Sequence, residues 1–307
     1  MTRPEVRIYE VGPRDGLQAE ATVVPTDAKL RLLAMLADAG LREIETTSLV
    51  RPDAIPQLAD ADDLLGRLER RPGIRYPVLV PNVRGLERAI AVRVDAICLI
   101  TAATDAYVQH NIGMTIDESL AAFAPIATEA RSRGWWIRAY VSTAFGCPYE
   151  GEVDELAVLG VAERLLRLGV DELSISDTVG VATPTDVRRV VGALAAAGIG
   201  PEVVALHLHD TRGTALANVM AALEMGIRCF DASTGGTGGS PYAPGSAGNL
   251  ATEDLVYLLD REGVRTGVDL DGVLAAAAFI ATQLGREVSS KVGRAGGWPH
   301  GAGQAAG

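Results

Sequence analysis

A closed barrel of eight parallel strands wrapped by helices, the (β/α)8 or TIM-barrel class of α/β proteins, is the fold this sequence predicts. Three observations carry it. Short β-rich runs alternate with helical patterns along almost the whole chain, and no break in composition separates them. Repeated β-then-α units imply a parallel sheet, and eight of them imply closure. The length of 307 residues, 48% of them hydrophobic, suffices for one large core. The alternative is an open, doubly wound sheet. It is weakened because no Gly-x-Gly-x-x-Gly follows the first strand.

The elements follow in order. Val6 to Val11 reads as a strand, and Thr26 to Ala39 as an amphipathic helix ended by Gly40. Arg42 to Thr46 is a strand, then Pro56 to Arg70 is mostly helix. Tyr76 to Val80 and Val94 to Thr101 are strands flanking a helix over Val83 to Val92. Thr115-x-x-Glu118 is a capping box that opens a helix closed by Gly134. Trp136 to Ser142 is a strand, Val153 to Leu168 a helix stopped by Gly169, and Glu172 to Ser176 a strand. Thr183-Pro184 places an N-cap before a first-turn proline, and that helix runs to about Ala197. Val203 to Leu208 and Arg228 to Asp231 are strands on either side of a helix from Ala215 to Met225. Further helices cover Thr252 to Asp260 and Leu270 to Leu284. Residues 1–295 are therefore expected as one barrel domain with additional C-terminal helices. The Gly- and Ala-rich residues 296–307 are expected as a flexible tail.

Bulk properties exclude several roles. A net charge of −11 disfavours nucleic acid as a partner. No apolar run reaches the roughly 18 residues of a membrane span. Met1-Thr2-Arg3-Pro4-Glu5 leads straight into the first strand, so no signal or transit peptide is expected. Cys98, Cys147 and Cys229 are odd in number and far apart, which fits a reducing, cytoplasmic setting.

In a barrel of this class the active site lies at the C-terminal ends of the strands. The seventh strand ends in His207-Leu208-His209, and alternation sends both imidazoles to one face. Two such side chains suit one divalent metal ion; alone, they equally suit a hydrogen-bonded buried pair. The other strand ends supply Glu10, Arg14, Asp15 and Gln18, then Glu45 and Ser48, Asn82, Ser142, Asp177 and, beyond the last strand, Asn249. Any single one of these reads also as a helix cap or turn residue, Asp177 in particular. Together they form a polar rim. An Asp, two His and an Asn make a mixed nitrogen and oxygen set suited to Mg²⁺ or Mn²⁺ rather than a closed thiolate zinc site. Asp15 is the natural carboxylate ligand, and Arg14 beside it is poised for a developing oxyanion. Gly235 to Gly239 reads as a mobile lid or as an ordinary βα loop.

These segments resemble the 3-hydroxy-3-methylglutaryl-CoA lyase family of metal-dependent lyase/synthase barrels. The matching motifs are Glu10-Val-Gly-Pro-Arg-Asp-Gly-Leu-Gln18, Ile44-Glu-Thr-Thr-Ser48, Gly146-Cys-Pro-Tyr-Glu-Gly151, Ser176-Asp-Thr-Val-Gly180, His207-x-His-Asp210, Gly238-Gly-x-Pro-Tyr-Ala243 and Gly248-Asn-Leu-Ala-Thr-Glu-Asp254. The resemblance implies that Asp15, His207, His209 and Asn249 hold a divalent metal, Mg²⁺ or Mn²⁺. It implies that Arg14 stabilises a thioester enolate, with Glu45 supporting it, and that Asp177 orients the substrate hydroxyl or moves its proton. Gln18, Ser48, Ser142, Gly238 and Gly239 would meet an acyl-CoA substrate, and Glu10 would support the site. A homodimer is also implied.

One departure matters for the chemistry. The family's lid reads Gly-Gly-Cys-Pro-Tyr, and its cysteine takes part in catalysis; here the position is Ser240. A thiol titrates near pH 8.5 and a serine hydroxyl does not. Cys147 matches another family cysteine and Cys229 lies within a strand, so neither substitutes. Ala21 stands where the family has a lysine near the CoA phosphates, and Leu49 to Ile55 lacks the family's aromatic residue. Three readings follow: a slow lyase on the family substrate, a lyase or aldolase for another 3-hydroxyacyl-CoA, or a metal-binding relative with little activity. A synthase condensing an acyl-CoA with a 2-oxo acid is the further enzymatic alternative.

Overall fold

A computed structural model describes residues 5–239 and 247–298 of the chain. Ser240 and residues 299–307 of the expected tail lie outside the described residues. Eight parallel staves run β1 (Arg7–Glu10), β2 (Glu43–Ile44 continuing as Thr47–Ser48), β3 (Val78–Leu79), β4 (Ala96–Ala102), β5 (Trp136–Ser142), β6 (Glu172–Asp177), β7 (Val204–Leu208) and β8 (Cys229–Ala232). β2 is where the ring closes. Its first segment pairs with β1 through Tyr9↔Glu43, and its second with β3 through Thr47↔Val78. Between them, Glu45 N donates to Glu10 O (2.9 Å) and Thr46 N to Pro77 O (3.0 Å). Each edge of the stave is thus used on a different side, and among the described residues no edge of the sheet is left open.

The helices are α1 (Thr26–Asp38), α2 (Ala61–Arg67), α3 (Val83–Ala91), α4 (Asp105–Ile112), α5 (Ile116–Ser132), α6 (Glu155–Arg167), α7 (Pro184–Ala196), α8 (Ala215–Glu224), α9 (Thr252–Arg261), α10 (Leu270–Leu284) and α11 (Lys291–Ala295). The Thr115–Glu118 capping box is present, with Thr115 N donating to Glu118 at 2.8 Å. At α7, Asp186 accepts from Thr183 N (3.0 Å) and Thr183 Oγ1 (2.7 Å). The main apolar core lies between the staves and this helical layer, joining side chains such as Leu36, Ile97, Val141, Leu165 and Leu206.

Two features refine the expected order. The mostly helical stretch from Pro56 to Arg70 is a short 3-10 turn at Pro56–Leu58 followed by α2. The buried Lys29 ammonium explains the break: it draws in Gln57 O (2.5 Å) and Asp60 Oδ1 (2.6 Å). The second is α4, which was not expected. It begins after Thr104 and ends at Gly113 in the left-handed region (φ 71°). It adds Tyr107, Asn111 and Ile112 to the wall of the cavity at the C-terminal end of the barrel.

Candidate metal centre and active site

Arg14 and Asp15 project from an unusual turn. The amides of Arg14, Asp15 and Gly16 all donate to Val11 O (3.1, 2.8 and 3.1 Å), so the chain widens into one π turn just past β1. Gly16 is required there, since a Cβ would come within 2.3 Å of Thr237 Oγ1. From this turn Arg14 donates Nε to Glu45 Oε1 (2.6 Å) and Nη1 to Asp15 Oδ1 (2.6 Å). Glu45 also accepts from Tyr140 OH, and the guanidinium lies 5.3 Å from the Tyr140 ring centroid. Arg14 is therefore a fixed, fully buried cation.

Asp15, His207 and His209 converge: one ligating atom from each lies within 4.8 Å of the others. Asn249 arrives through the backbone. Residues 247–251 run against the end of β7, with His209 bridged to Asn249 and Leu250 N donating to Leu208 O (3.0 Å). Asn249 Nδ2 then donates to Asp15 Oδ2 (2.9 Å) and Thr237 O (3.2 Å). Gly238 leaves room for it, since a Cβ there would stand 2.8 Å from Asn249 Nδ2.

The charge states suit a cation. Burial would raise the Asp15 carboxyl, but Arg14 and both histidines outweigh it and hold the group at about 2. Burial, reinforced by His207, pushes His209 down to about 3, so it is a neutral imidazole at physiological pH. His209 Nδ1 and Asn249 Oδ1 are buried and have no hydrogen-bond partner among the described residues. Such atoms cost on the order of 1–3 kcal/mol each if left unmade. An anion, two imidazoles and an amide oxygen with lone pairs to spare fit a divalent ion.

The site opens into a cavity of about 450 Å³ at the C-terminal ends of the staves, lined by Arg14, Asp15, Gln18, Ser142, His207 and His209 among others. Gly239 also lines it. Gln18 Oε1 is buried without a partner. One wall is apolar, formed by Val50, Ile55, Leu79, Pro81 and Ile100.

Other expected residues stand elsewhere. Both oxygens of Asp177 accept backbone amides, from Val181 and Ala182 at 3.0 Å each, so the carboxylate anchors the turn after β6. Glu10 accepts from Gly12 N, Thr234 N and Oγ1, and Thr252 Oγ1, tying β1 to the segment after β8. Asn82 caps α3 through Gly85 N (3.0 Å). Ser48 Oγ is buried with no partner among the described residues and does not line the cavity. Gly235 and Gly236 are not part of a mobile lid. They are buried, with Gly235 N held by Glu253 (2.8 Å) and their carbonyls met by Ser289. Their glycines permit close packing, since a Cβ would come within 2.7 Å of Val288 and 2.4 Å of Ser289.

Sequence reasoning missed the charged interior of the barrel. Arg138, fully buried, pairs with Asp231 (2.6 Å) and stacks over Tyr9 at 3.7 Å, and Asp231 reaches His207 Nδ1 at 3.2 Å. The signal was period-two polarity. Arg138, Tyr140 and Ser142 share one face of β5, and Glu172, Ser174 and Ser176 one face of β6.

Comparison with known proteins agrees with this geometry. The HMGL-like family model matches residues 5–280. The chain is 45% identical to the mitochondrial hydroxymethylglutaryl-CoA lyase of Bos taurus over 291 residues, covering 95% of this chain and 89% of the relative. It is 44% identical over 290 residues to the cytoplasmic 3-hydroxy-3-methylglutaryl-CoA lyase of Rattus norvegicus, covering 94% and 84%. The crystal structure of the Bacillus subtilis HMG-CoA lyase superposes with a TM-score of 0.93 at 43% identity, covering 95% of this chain and 98% of that one. An Acinetobacter baumannii HMG-CoA lyase, solved with coenzyme A and 3-methylmalate, gives 0.91 at 38% identity, covering 97% of each chain. The barrel, the converging Asp15, His207 and His209, and these matches together establish that the chain belongs to the HMGL-like family.

Proposed function

We propose that this chain is a divalent-metal-dependent carbon–carbon lyase. Its substrate is 3-hydroxy-3-methylglutaryl-CoA or a closely related 3-hydroxyacyl-CoA, and its products are acetyl-CoA and a keto acid. The observation that carries the reading is Asp15, His207 and His209 gathered within 4.8 Å on the floor of the cavity, beside the fixed cation of Arg14. Asp15, His207, His209 and Asn249 would hold Mg²⁺ or Mn²⁺, which supplies Lewis-acid polarisation of the substrate hydroxyl and carboxylate.

The C3 hydroxyl loses its proton to water, the C2–C3 bond breaks, and its electron pair passes into the thioester enolate. Protonation at C2 by water then gives acetyl-CoA, while C3 becomes a ketone. Arg14 offers a positive charge to the enolate oxygen. Because Glu45 and Tyr140 already fix its guanidinium, little reorganisation accompanies charge development. Gln18 Oε1 and the Ser142 side chain are polar contacts for the substrate, and the apolar wall takes the acyl and pantetheine carbons. Asp177, with both oxygens occupied by backbone amides, acts by holding the turn after β6. The free, buried Cys98, Cys147 and Cys229 support a reducing, cytoplasmic setting. A homodimer is the assembly the resemblance implies, and light scattering reports it.

A coupled assay following acetyl-CoA and acetoacetate should show turnover with Mg²⁺ or Mn²⁺ and none after chelation. The reading fails if no branched 3-hydroxyacyl-CoA turns over with either ion. Ser240 and Ala21 favour a second reading, cleavage of a different 3-hydroxyacyl-CoA. Ser240→Cys tests the first reading. If the family substrate is the right one, the thiol should raise its turnover about tenfold or more, the lower part of the general acid–base range. An unchanged rate would mean that Ser240 is not the limiting defect.

A further inference from the structure

A chain of charges runs through the barrel interior, from the half-exposed Arg7 to the candidate metal centre. Arg7 on β1 pairs with Glu172 on β6. Glu172 Oε1 lies 3.1 Å from Arg138 Nε, an ion-pair distance without hydrogen-bond alignment. Arg138 Nη2 donates to Asp231 Oδ1 at 2.6 Å. Asp231 Oδ2 accepts from Ser174 Oγ (3.1 Å) and faces His207 Nδ1 at 3.2 Å. Arg138 and Asp231 are fully buried, and Arg138 is clamped over Tyr9 and Tyr140, 3.7 and 5.2 Å from their ring centroids. Asp231 does not line the cavity; its direct contact with the site is His207.

We propose that Asp231 is a positioning residue that fixes His207 in the tautomer with its proton on Nδ1, leaving Nε2 as the lone-pair nitrogen offered to a divalent cation. This rests on the reading of Asp15, His207 and His209 as a metal centre. The argument is one of donors and acceptors. Arg138 is donor only, so Asp231 Oδ1 must accept from it. Oδ2 is an ionised oxygen that can only accept, so the nitrogen facing it must carry the proton. A metal-ligating imidazole held through its other nitrogen by a carboxylate has a fixed ring orientation and stronger donation.

Asp231→Asn is the sharp test because Arg138 dictates its outcome. The amide oxygen must turn to Arg138, which leaves the NH₂ facing His207 Nδ1. An NH₂ there demands a lone pair on Nδ1 and moves the proton to Nε2, the nitrogen needed for the cation. Mn²⁺ binding to the full-length protein, followed by titration calorimetry, should weaken by about 10–100-fold. Nitrogen-15 spectra of the metal-free protein should show His207 changing from the Nδ1–H to the Nε2–H form. Ser174→Ala, which removes one hydrogen bond to Oδ2 and keeps the charge, should weaken Mn²⁺ only a few-fold and leave the tautomer unchanged. Should Asp231→Asn fail to fold, the tautomer in the wild type decides: an Nε2–H form there overturns the proposal. Equal Mn²⁺ affinity in wild type and Asp231→Asn also overturns it. A wild type that binds no Mn²⁺ instead refutes the underlying metal-centre reading.

Discussion

Both ends of this barrel are lined by charged side chains, and they differ in what those charges meet. At the N-terminal end a cavity of about 510 Å³ is bordered by Arg7, Glu43, Arg75 and Trp136. There Arg7 pairs with Glu43 and Glu172, Arg75 pairs with Glu43, and the Arg75 guanidinium sits 4.2 Å from the Trp136 ring centroid. At the C-terminal end His209 Nδ1, Asn249 Oδ1 and Gln18 Oε1 have no partner among the described residues. The lesson is that buried charge alone does not mark a site. Charges that satisfy one another hold staves together, whereas polar atoms held in place and left unsatisfied are the ones with capacity for a ligand.

The largest effect that would sharpen this contrast lies at the C-terminal end. Arg14→Gln removes the cation but leaves an amide that can still donate. Loss of one preorganised oxyanion donor costs about 10²–10³ in kcat. The substitution should act on kcat per folded molecule with a smaller change in KM, and because it leaves the buried Glu45 carboxylate without its cation, urea unfolding should also register a loss of about 3 kcal/mol. An unchanged kcat per folded molecule would show Arg14 to be another structural charge, and the contrast would break.

Glu172→Gln is the counterpart inside the barrel towards the other end. Glu172 is almost fully buried and serves both Arg138 and Arg7. Breaking a buried pair by removing one partner costs about 3–5 kcal/mol, and Arg138 keeps Asp231, so about 3 kcal/mol is expected. Urea denaturation should show it, while kcat per folded molecule stays near that of the wild type. A Glu172→Gln protein as stable as the wild type but impaired in turnover would place that network in the chemistry.

How much of this was legible in the sequence follows from the same contrast. The ring of eight staves was readable because each β-then-α unit carries its own apolar pattern. The cluster of Asp15, His207 and His209 was readable because these residues follow strand ends, where the fold concentrates function. Asn249 was legible as a polar residue beyond the last strand, but the backbone pairing that delivers it to His209 is long-range and leaves no local trace. The Arg138–Asp231 network was written in alternating positions, but each charge sits in a different strand and only the closed barrel brings them together. Gly235 and Gly236 misled for a related reason. Glycine marks either freedom or close approach, and the Val288 and Ser289 side chains that decide for close approach lie far along the chain.

Glu253 puts the rule itself at risk. Its Oε1 is buried with no partner among the described residues, yet it stands behind Gly235 and does not line the cavity. Protonation resolves the case, since burial pushes this carboxyl up to about 7, with Glu10 adding to the rise. The folded state then holds a proton that the unfolded chain releases near pH 4.5. Stability is fully present below that value, falls as pH rises towards about 7, and stays reduced above it. The span between the two values corresponds to about 3 kcal/mol at most. Glu253→Gln keeps an acceptor for Gly235 N and cannot ionise. Relative to the wild type it should therefore be near neutral at pH 5 and more stable by about 1–3 kcal/mol at pH 8. Urea midpoints of both proteins across that range measure the difference directly. If the two curves run parallel, Glu253 is ionised in the fold, and its unpartnered oxygen would have to be explained as a true binding atom.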